Sequence, residues 1–279
     1  MNKMKWFLIT AIIITCGAMA VYSLFNSELP KHEESHLIGT SPPIPQSIQN
    51  TVTPSAPSTS TEPSKTAEVM IHHNRITLPY LANSDKFVFD AINSLIQNHS
   101  LIKLFYAERI IRDIVITMIN LTQPRVPVKD MPFKPPTGNF ITYSLGDQLV
   151  ISPDNKQRYI NYIKIAEAVD TKQLVDLYIE LYPLLQQQYK ELGYPNQKFN
   201  ELLIKTIDDL LDAPDIKDPI HLLQPIYFYK FEDVDLEDLS IGQKIMIRLG
   251  IKYEWLVKIK LTDIKKELNM RSSELMNLK

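Results

Sequence analysis

One cysteine and seven glycines are all that 279 residues contain of each, and both shortages exclude chemistry. A lone cysteine, Cys16, allows no intrachain disulfide, so the fold must be held by its apolar core. Cys16 also lies inside the first apolar run, which excludes a cysteine nucleophile from any folded domain beyond it. With so few glycines there is no loop to cradle a phosphate: neither G-x-G-x-x-G nor G-x-x-x-x-G-K occurs. An excess of either charge is missing too. Against 30 lysines and arginines stand 32 aspartates and glutamates, a net charge of −2 with a pI near 6.3. A protein that grips nucleic acid backbone carries a basic face and a high pI, so no nucleic acid partner is expected. Histidine is scarce: only His99 and His221 fall beyond residue 77, and neither stands beside a serine nucleophile motif such as G-x-S-x-G. Neighbouring carboxylates such as Asp208 and Asp209 diverge on a helix. Two carboxylates from separate elements could still meet, so a glycosidase without a sequence pattern stays open.

What the chain does have begins with an oily stretch. Trp6 to Phe25 carries no charge over 20 residues. As a helix rising about 1.5 Å per residue, that length spans a hydrocarbon layer of roughly 30 Å. Lys3 and Lys5 precede it, and Glu28, Glu33 and Glu34 follow. The positive-inside rule then puts residues 1–5 in the cytoplasm and everything after Phe25 on the far side. A cleaved signal peptide is the rival, because "AMA" at 18–20 matches a small-residue cleavage site. The apolar run continues through Val21–Phe25, past that site, and favours an uncleaved anchor. The expected location is the inner membrane, single-pass, with the domain in the periplasm. Residues 26–77 are rich in Pro, Ser and Thr and have no period, as in "GTSPPIPQSIQNTVTPSAPSTSTEPSKT". Such a segment cannot bury enough apolar surface to offset its ordering entropy, and reads as a disordered, extended linker.

Within that linker, "HEESH" at 32–36 is a literal H-E-x-x-H. On a long helix this pattern can hold zinc. Here Pro30 precedes it, Gly39 and Pro42 follow, and the next carboxylate is Glu62. Without a helix, a third ligand or a supporting shell, no zinc site is expected. His72-His73 is a weak pair for the same reason, since adjacent side chains point apart.

Apolar periodicity returns at Leu78 and defines a helical domain over 78–279. Phe87, Val88, Ala91, Ile92, Leu95 and Ile96 form one helical stripe, for which Ser84 and Asp85 are candidate caps. Ile110, Ile111, Ile114, Val115, Met118 and Ile119 form a second. Five prolines over 123–138 demand an irregular connection. A hairpin is expected from Phe140–Ser144 and Gln148–Ile151 around Gly146-Asp147. Ser152-Pro153 starts a helix, and Thr171 opens another in which Pro183 should produce a kink or a restart. Gly193 and Pro195 stop it. Phe199 to Leu211 is amphipathic, "PIYFYKF" at 225–231 alternates like a strand, and Ser240 with Gln243 forms a capping box. The last helix runs from about Lys252 to Asn269, before a polar tail expected to fray. The fold class is therefore mainly α: a transmembrane helix, a linker, and a helical domain with a short hairpin and one extra strand.

Three blocks carry a resemblance: "RYINYIKIAEAVD", "LYPLLQQQYKELGYPNQKFNELLIKTIDDLLDAP" and "LEDLSIGQKIMIRLG". They resemble the DUF3014 family of uncharacterised bacterial proteins, over roughly residues 78–268. The resemblance implies an N-terminal anchor, a low-complexity linker and an envelope location. It supplies no activity, cofactor or site residue.

Two groups of residues are candidates for binding a partner. Tyr178, Tyr182 and Tyr189, with Tyr194 and Phe199, could form an aromatic platform for a peptide or glycan, or could simply line the core with their hydroxyls at its rim. Lys244 and Arg248, spaced i, i+4, could hold an anion or a partner's carboxylate, or could be a solvated basic face. Gly242 in the same helix points to close packing, since glycine costs about 1 kcal/mol against alanine there. The acidic run Glu232, Asp233, Asp235, Glu237, Asp238 lacks the glycine and glutamate of a calcium loop. No catalytic residue, cofactor or metal is expected. The expected function is a non-catalytic interaction domain for an envelope protein partner. A peptidoglycan-active hydrolase and a glycan- or solute-binding module are the alternatives.

Overall fold

The computed structural model describes residues 78–125, 133–217, 219–225 and 228–276. The apolar span Trp6–Phe25, the linker 26–77, "HEESH" and His72-His73 lie outside the described residues. Among the described residues no helix is long and apolar enough to cross a membrane.

The helices follow the apolar stripes. A 3-10 turn, Leu81–Asn83, leads into α1, Asp85–Ile96. A short α2, His99–Ile102, is capped by Asn98, whose Oδ1 accepts from the amides of Ser100 and Leu101. Then come α3 (Ile110–Leu121), α4 (Lys156–Ala168), α5 (Thr171–Glu191), α6 (Phe199–Leu211), α7 (Val234–Glu237), α8 (Ile241–Leu249), α9 (Ile251–Met270) and α10 (Ser272–Met276). The α9 helix is the hub, packing against α4, α5, α6 and α8. Val257, Leu261, Ile264 and Leu268 are its buried side chains in the main core.

Four short strands make one antiparallel sheet in sequence order: β1 (Thr142–Leu145), β2 (Gln148–Ile151), β3 (His221–Leu223) and β4 (Lys230–Phe231). The expected hairpin is present as β1 and β2, turning at Gly146 with φ 61°. The expected strand over 225–231 is corrected. Among its described residues only Lys230–Phe231 are strand, while Pro225 and Phe228 lie in bends; 226–227 fall outside the described residues. Pro225 has no N–H to give a ladder. The partner that β4 does find, Leu222 opposite Phe231, is on a three-residue strand too short to show a period. Phe140, Ile151, Ile220, Leu222, Phe231 and Ile247 form a second, smaller apolar cluster beside the sheet.

Three other local expectations are revised. Of the kink or restart expected at Pro183, the restart does not occur: α5 runs unbroken through it. Pro183 is exposed, so solvent can satisfy the carbonyl its missing N–H leaves free, and buried neighbours on the opposite face hold the helix. The tail does not simply fray: Arg271 bonds Asp176 and Glu274, and Leu275 is buried in the main core. Asp85 does not cap the helix it begins. Its carboxylate accepts from the amides of Arg109 (2.7 Å) and Ile110 (3.0 Å), and so caps α3. Arg109 has φ 56° and supplies no cap hydrogen bond itself. Asp85→Ala should therefore destabilise the domain by about 1–2 kcal/mol. Urea unfolding checks this, and Asp85→Asn should recover part of the loss because an amide oxygen still accepts.

Candidate binding residues and an exposed apolar stripe

The aromatic candidates do assemble, but inside the core. Tyr178, Tyr182, Tyr189 and Phe199 are buried and Tyr194 is half-buried. Tyr189 stacks on Tyr194 at 4.6 Å between ring centroids, and Phe199 lies 5.8 Å from Tyr189 and 6.4 Å from Tyr178. The hydroxyls reach partners at the rim. Tyr178 donates to Asn200 Oδ1 (3.0 Å), Tyr182 to Gln186 Oε1 (3.1 Å) and Tyr189 to Gln197 Oε1 (2.9 Å). Gln186 ties the α5–α6 connection by accepting from Phe199 N–H (2.8 Å) and donating to Gln197 O (2.8 Å). Burial pushes the Tyr178 hydroxyl well above its ordinary pKa. In this arrangement the rings pack α5 against α6 and do not present a flat face to a ligand.

Lys244 and Arg248 are not on a solvated face either. Both are buried on α8, remote from the tyrosine cluster in sequence, where α8 touches both apolar clusters. Lys244 Nζ donates to Glu237 O (2.7 Å) and Pro124 O (3.0 Å) and lies 3.8 Å from Glu237 Oε1. Glu237 Oε2 accepts from Phe231 N–H at 3.0 Å. Burial lowers the pKa of both cations, that of Arg248 to about 10. Three of the five acids in the run have structural partners: Asp233 caps α7, Glu237 meets Lys244 and Phe231, and Asp238 meets Arg125 at 3.5 Å. Asp208 and Asp209 do diverge, the first pairing with Lys265 and the second accepting from Ser240 Oγ at 2.6 Å. Among the described residues, no group of three or more His, Cys, Asp or Glu could hold a metal ion.

A feature that pattern reading passed over lies on α9. Ile251, Trp255 and Ile259 are all exposed, Trp255 by 62%. Their i, i+4, i+8 spacing makes one stripe, opposite in character to the buried Val257–Leu261–Ile264 side. A shallow cavity of about 160 Å³ runs beside it, lined by Ile163, Ala166, Leu256 and Ile259 among others. Of the nearby lysines, two are turned to internal partners, while Lys252 and Lys266 are exposed on the stripe's side of the helix. Lys258 bonds Asp215 and Ala213 O, and Lys260 bonds Val169 O. The spacing was legible in the sequence, but α9 has apolar residues on both sides, and pattern alone does not say which side is covered. A second concavity of about 410 Å³ lies at the start of the domain. It is lined by Tyr80, Asp85, Arg109, Arg112, Gln187 and Glu191 among others, with Tyr80 87% exposed.

A family model described as "Protein of unknown function (DUF3014)" matches residues 110–265, more than half of the chain. No curated protein and no solved structure matches the chain.

Proposed function

The chain belongs to the DUF3014 family, and from that premise we propose that it is a single-pass envelope protein whose helical domain binds another envelope protein without catalysis. Trp6–Phe25 is the anchor, residues 26–77 the spacer, and the domain stands outside the cytoplasm. The observation that carries the binding role is the exposed stripe Ile251, Trp255 and Ile259. Several exposed apolar side chains aligned along one face of a helix mark a contact surface where a single one would not, and tryptophan is a frequent anchor of such surfaces. Lys258 and Lys260 are committed inward, which leaves Lys252 and Lys266 as exposed cations along this flank; a contact with anionic lipid is the competing outcome that the crosslinking test distinguishes from a protein partner.

The concavity at Tyr80 supports a second reading, a glycan- or solute-binding module, because an exposed ring stands there beside charged and amide side chains.

The test places a photo-crosslinking residue at position 255 of the full chain in its native membrane. A discrete protein adduct should form there and not at Lys86, exposed on α1. Trp255→Ala should leave the unfolding midpoint unchanged while removing co-purification of the same adducted protein. A reporter fused after Lys279 that faced the cytosol would overturn the topology. Cell-wall degradation by the purified chain, abolished by a single carboxylate substitution, would overturn the non-catalytic role.

A further inference from the structure

The α8 helix runs along the seam between the two apolar clusters. Ile241, Ile245, Met246 and Leu249 belong to the helical core, and Ile247 belongs to the cluster beside the sheet. Lys244 and Arg248 share one face of this helix, and their circumstances differ. The ammonium of Lys244 has two carbonyl acceptors. Arg248 is just 6% exposed, and among the described residues its guanidinium donates no hydrogen bond and meets no carboxylate at ion-pair distance. Its Nε is fully buried without an acceptor. The guanidinium carbon stands 4.5 Å from the centroid of the Phe231 ring.

That contact does not satisfy the side chain. A ring attracts the cation as a whole, but it takes up none of the five N–H donors in the way an oxygen does. A buried arginine is ordinarily matched by an oxygen anion, since its donors form a rigid fork with carboxylate geometry. The acid nearest to this role is already engaged: Glu237 accepts from Phe231 N–H through one oxygen and faces Lys244 with the other. Charge at the seam is left unbalanced. Lys244 and Arg248 bring two positive charges and Glu237 one negative, while the Arg125–Asp238 pair adds none.

We propose that Arg248, with Lys244 alongside, is the receptor for one carboxylate group. A single negative charge balances the seam, and a planar two-oxygen acceptor fits the fork. A phosphate dianion would overshoot the balance and face repulsion from Glu237. The carboxylate can belong to a free small acid or to an acidic side chain of a bound protein. The binding chemistry is the same in both.

The experiment uses the full chain in detergent micelles with isotopically labelled arginine. The Nε–H resonance of Arg248, assigned by its loss in Arg248→Lys, is followed during titration with acetate, with a capped glutamate tripeptide and with phosphate, at constant ionic strength. Acetate or the peptide should shift the resonance saturably and phosphate more weakly, and in titration calorimetry Arg248→Lys should weaken carboxylate binding by about tenfold as the fork is lost. Tighter binding of acetate assigns the site to a free acid, and tighter binding of the peptide assigns it to a protein's side chain. A resonance that moves with neither carboxylate overturns the proposal and leaves Arg248 as a structural cation on Phe231. Saturation by phosphate at equal or greater affinity overturns the carboxylate assignment. If the variant fails to fold, the Nε–H resonance is assigned through bonds from the Arg248 backbone in uniformly labelled chain, and the titration of the unsubstituted chain decides the matter.

Discussion

Gly242→Val should destabilise the domain by about 3 kcal/mol, at the upper end of what overpacking costs. A Cβ at this position would stand 2.6 Å from Leu210 Cδ2, 3.2 Å from the carbonyl oxygen of Leu121 and 3.5 Å from Asp209 Oδ2. These three neighbours come from α6 and from the end of α3, so Gly242 is where three helices meet. Leu210 is buried and has little room to turn, and a backbone carbonyl cannot swing aside. Two further methyl groups would also press on Asp209, whose bond to Ser240 Oγ supports the capping box that starts α8. Alanine is a softer test. It gains about 1 kcal/mol of helix propensity, which offsets part of the crowding. The expected order in urea midpoint is glycine first, alanine slightly lower and valine far lower. A valine variant with the midpoint of the unsubstituted chain would show that α3, α6 and α8 do not approach as closely as they stand here.

Lys258→Met should cost about 3–5 kcal/mol near neutral pH, because it strands a buried carboxylate. Glu254 is 1% exposed and its Oε1 lies 2.9 Å from Lys258 Nζ. Lys258 also bonds Asp215 Oδ1 (2.5 Å) and Ala213 O (2.6 Å), which holds the ammonium in place. Burial already raises the carboxyl pKa of Glu254. A raised folded-state value means that the folded protein takes up its proton at higher pH than the unfolded chain does. Glu254 therefore costs stability above the ordinary carboxylate range, and that cost is relieved as pH falls through its raised pKa. Removing Lys258 raises the value further. The gap between variant and unsubstituted protein should then narrow from about pH 8 to about pH 5. Adding Glu254→Gln should recover most of the loss near neutral pH. Urea midpoints for the three proteins at both pH values check this. A gap that ignored pH and was not rescued by the amide would mean that lost packing of the lysine stem, not the stranded charge, sets the cost.

Both results bear on what the chain shows before it folds. Gly242 was legible as a packing position because glycine inside a capped helix is otherwise a loss. Its neighbours Leu210 and Leu121 were not, since nothing local links them to it. The Tyr178–Phe199 ring cluster was legible as a group, and its burial was one of two readings the spacing allowed. Asp85 was misread because a carboxylate beside a helix start looks like that helix's own cap, yet it serves the helix beginning at Ile110. The α5 helix does not restart at Pro183 because packing on its other side outweighs the one missing hydrogen bond.

By itself, then, the order of residues determined the long helices, most of their boundaries and the family. A period of 3.6, a capping serine or a stopping glycine acts over a few neighbours, and such signals survive in one dimension. Tertiary structure alone decided that Lys244 and Arg248 are buried and that β4 pairs with β3. It also decided that Trp255 faces outward while Glu254, one residue before it, is enclosed. Burial and strand pairing depend on which distant segments arrive to cover a side chain, and that is a property of the assembled core.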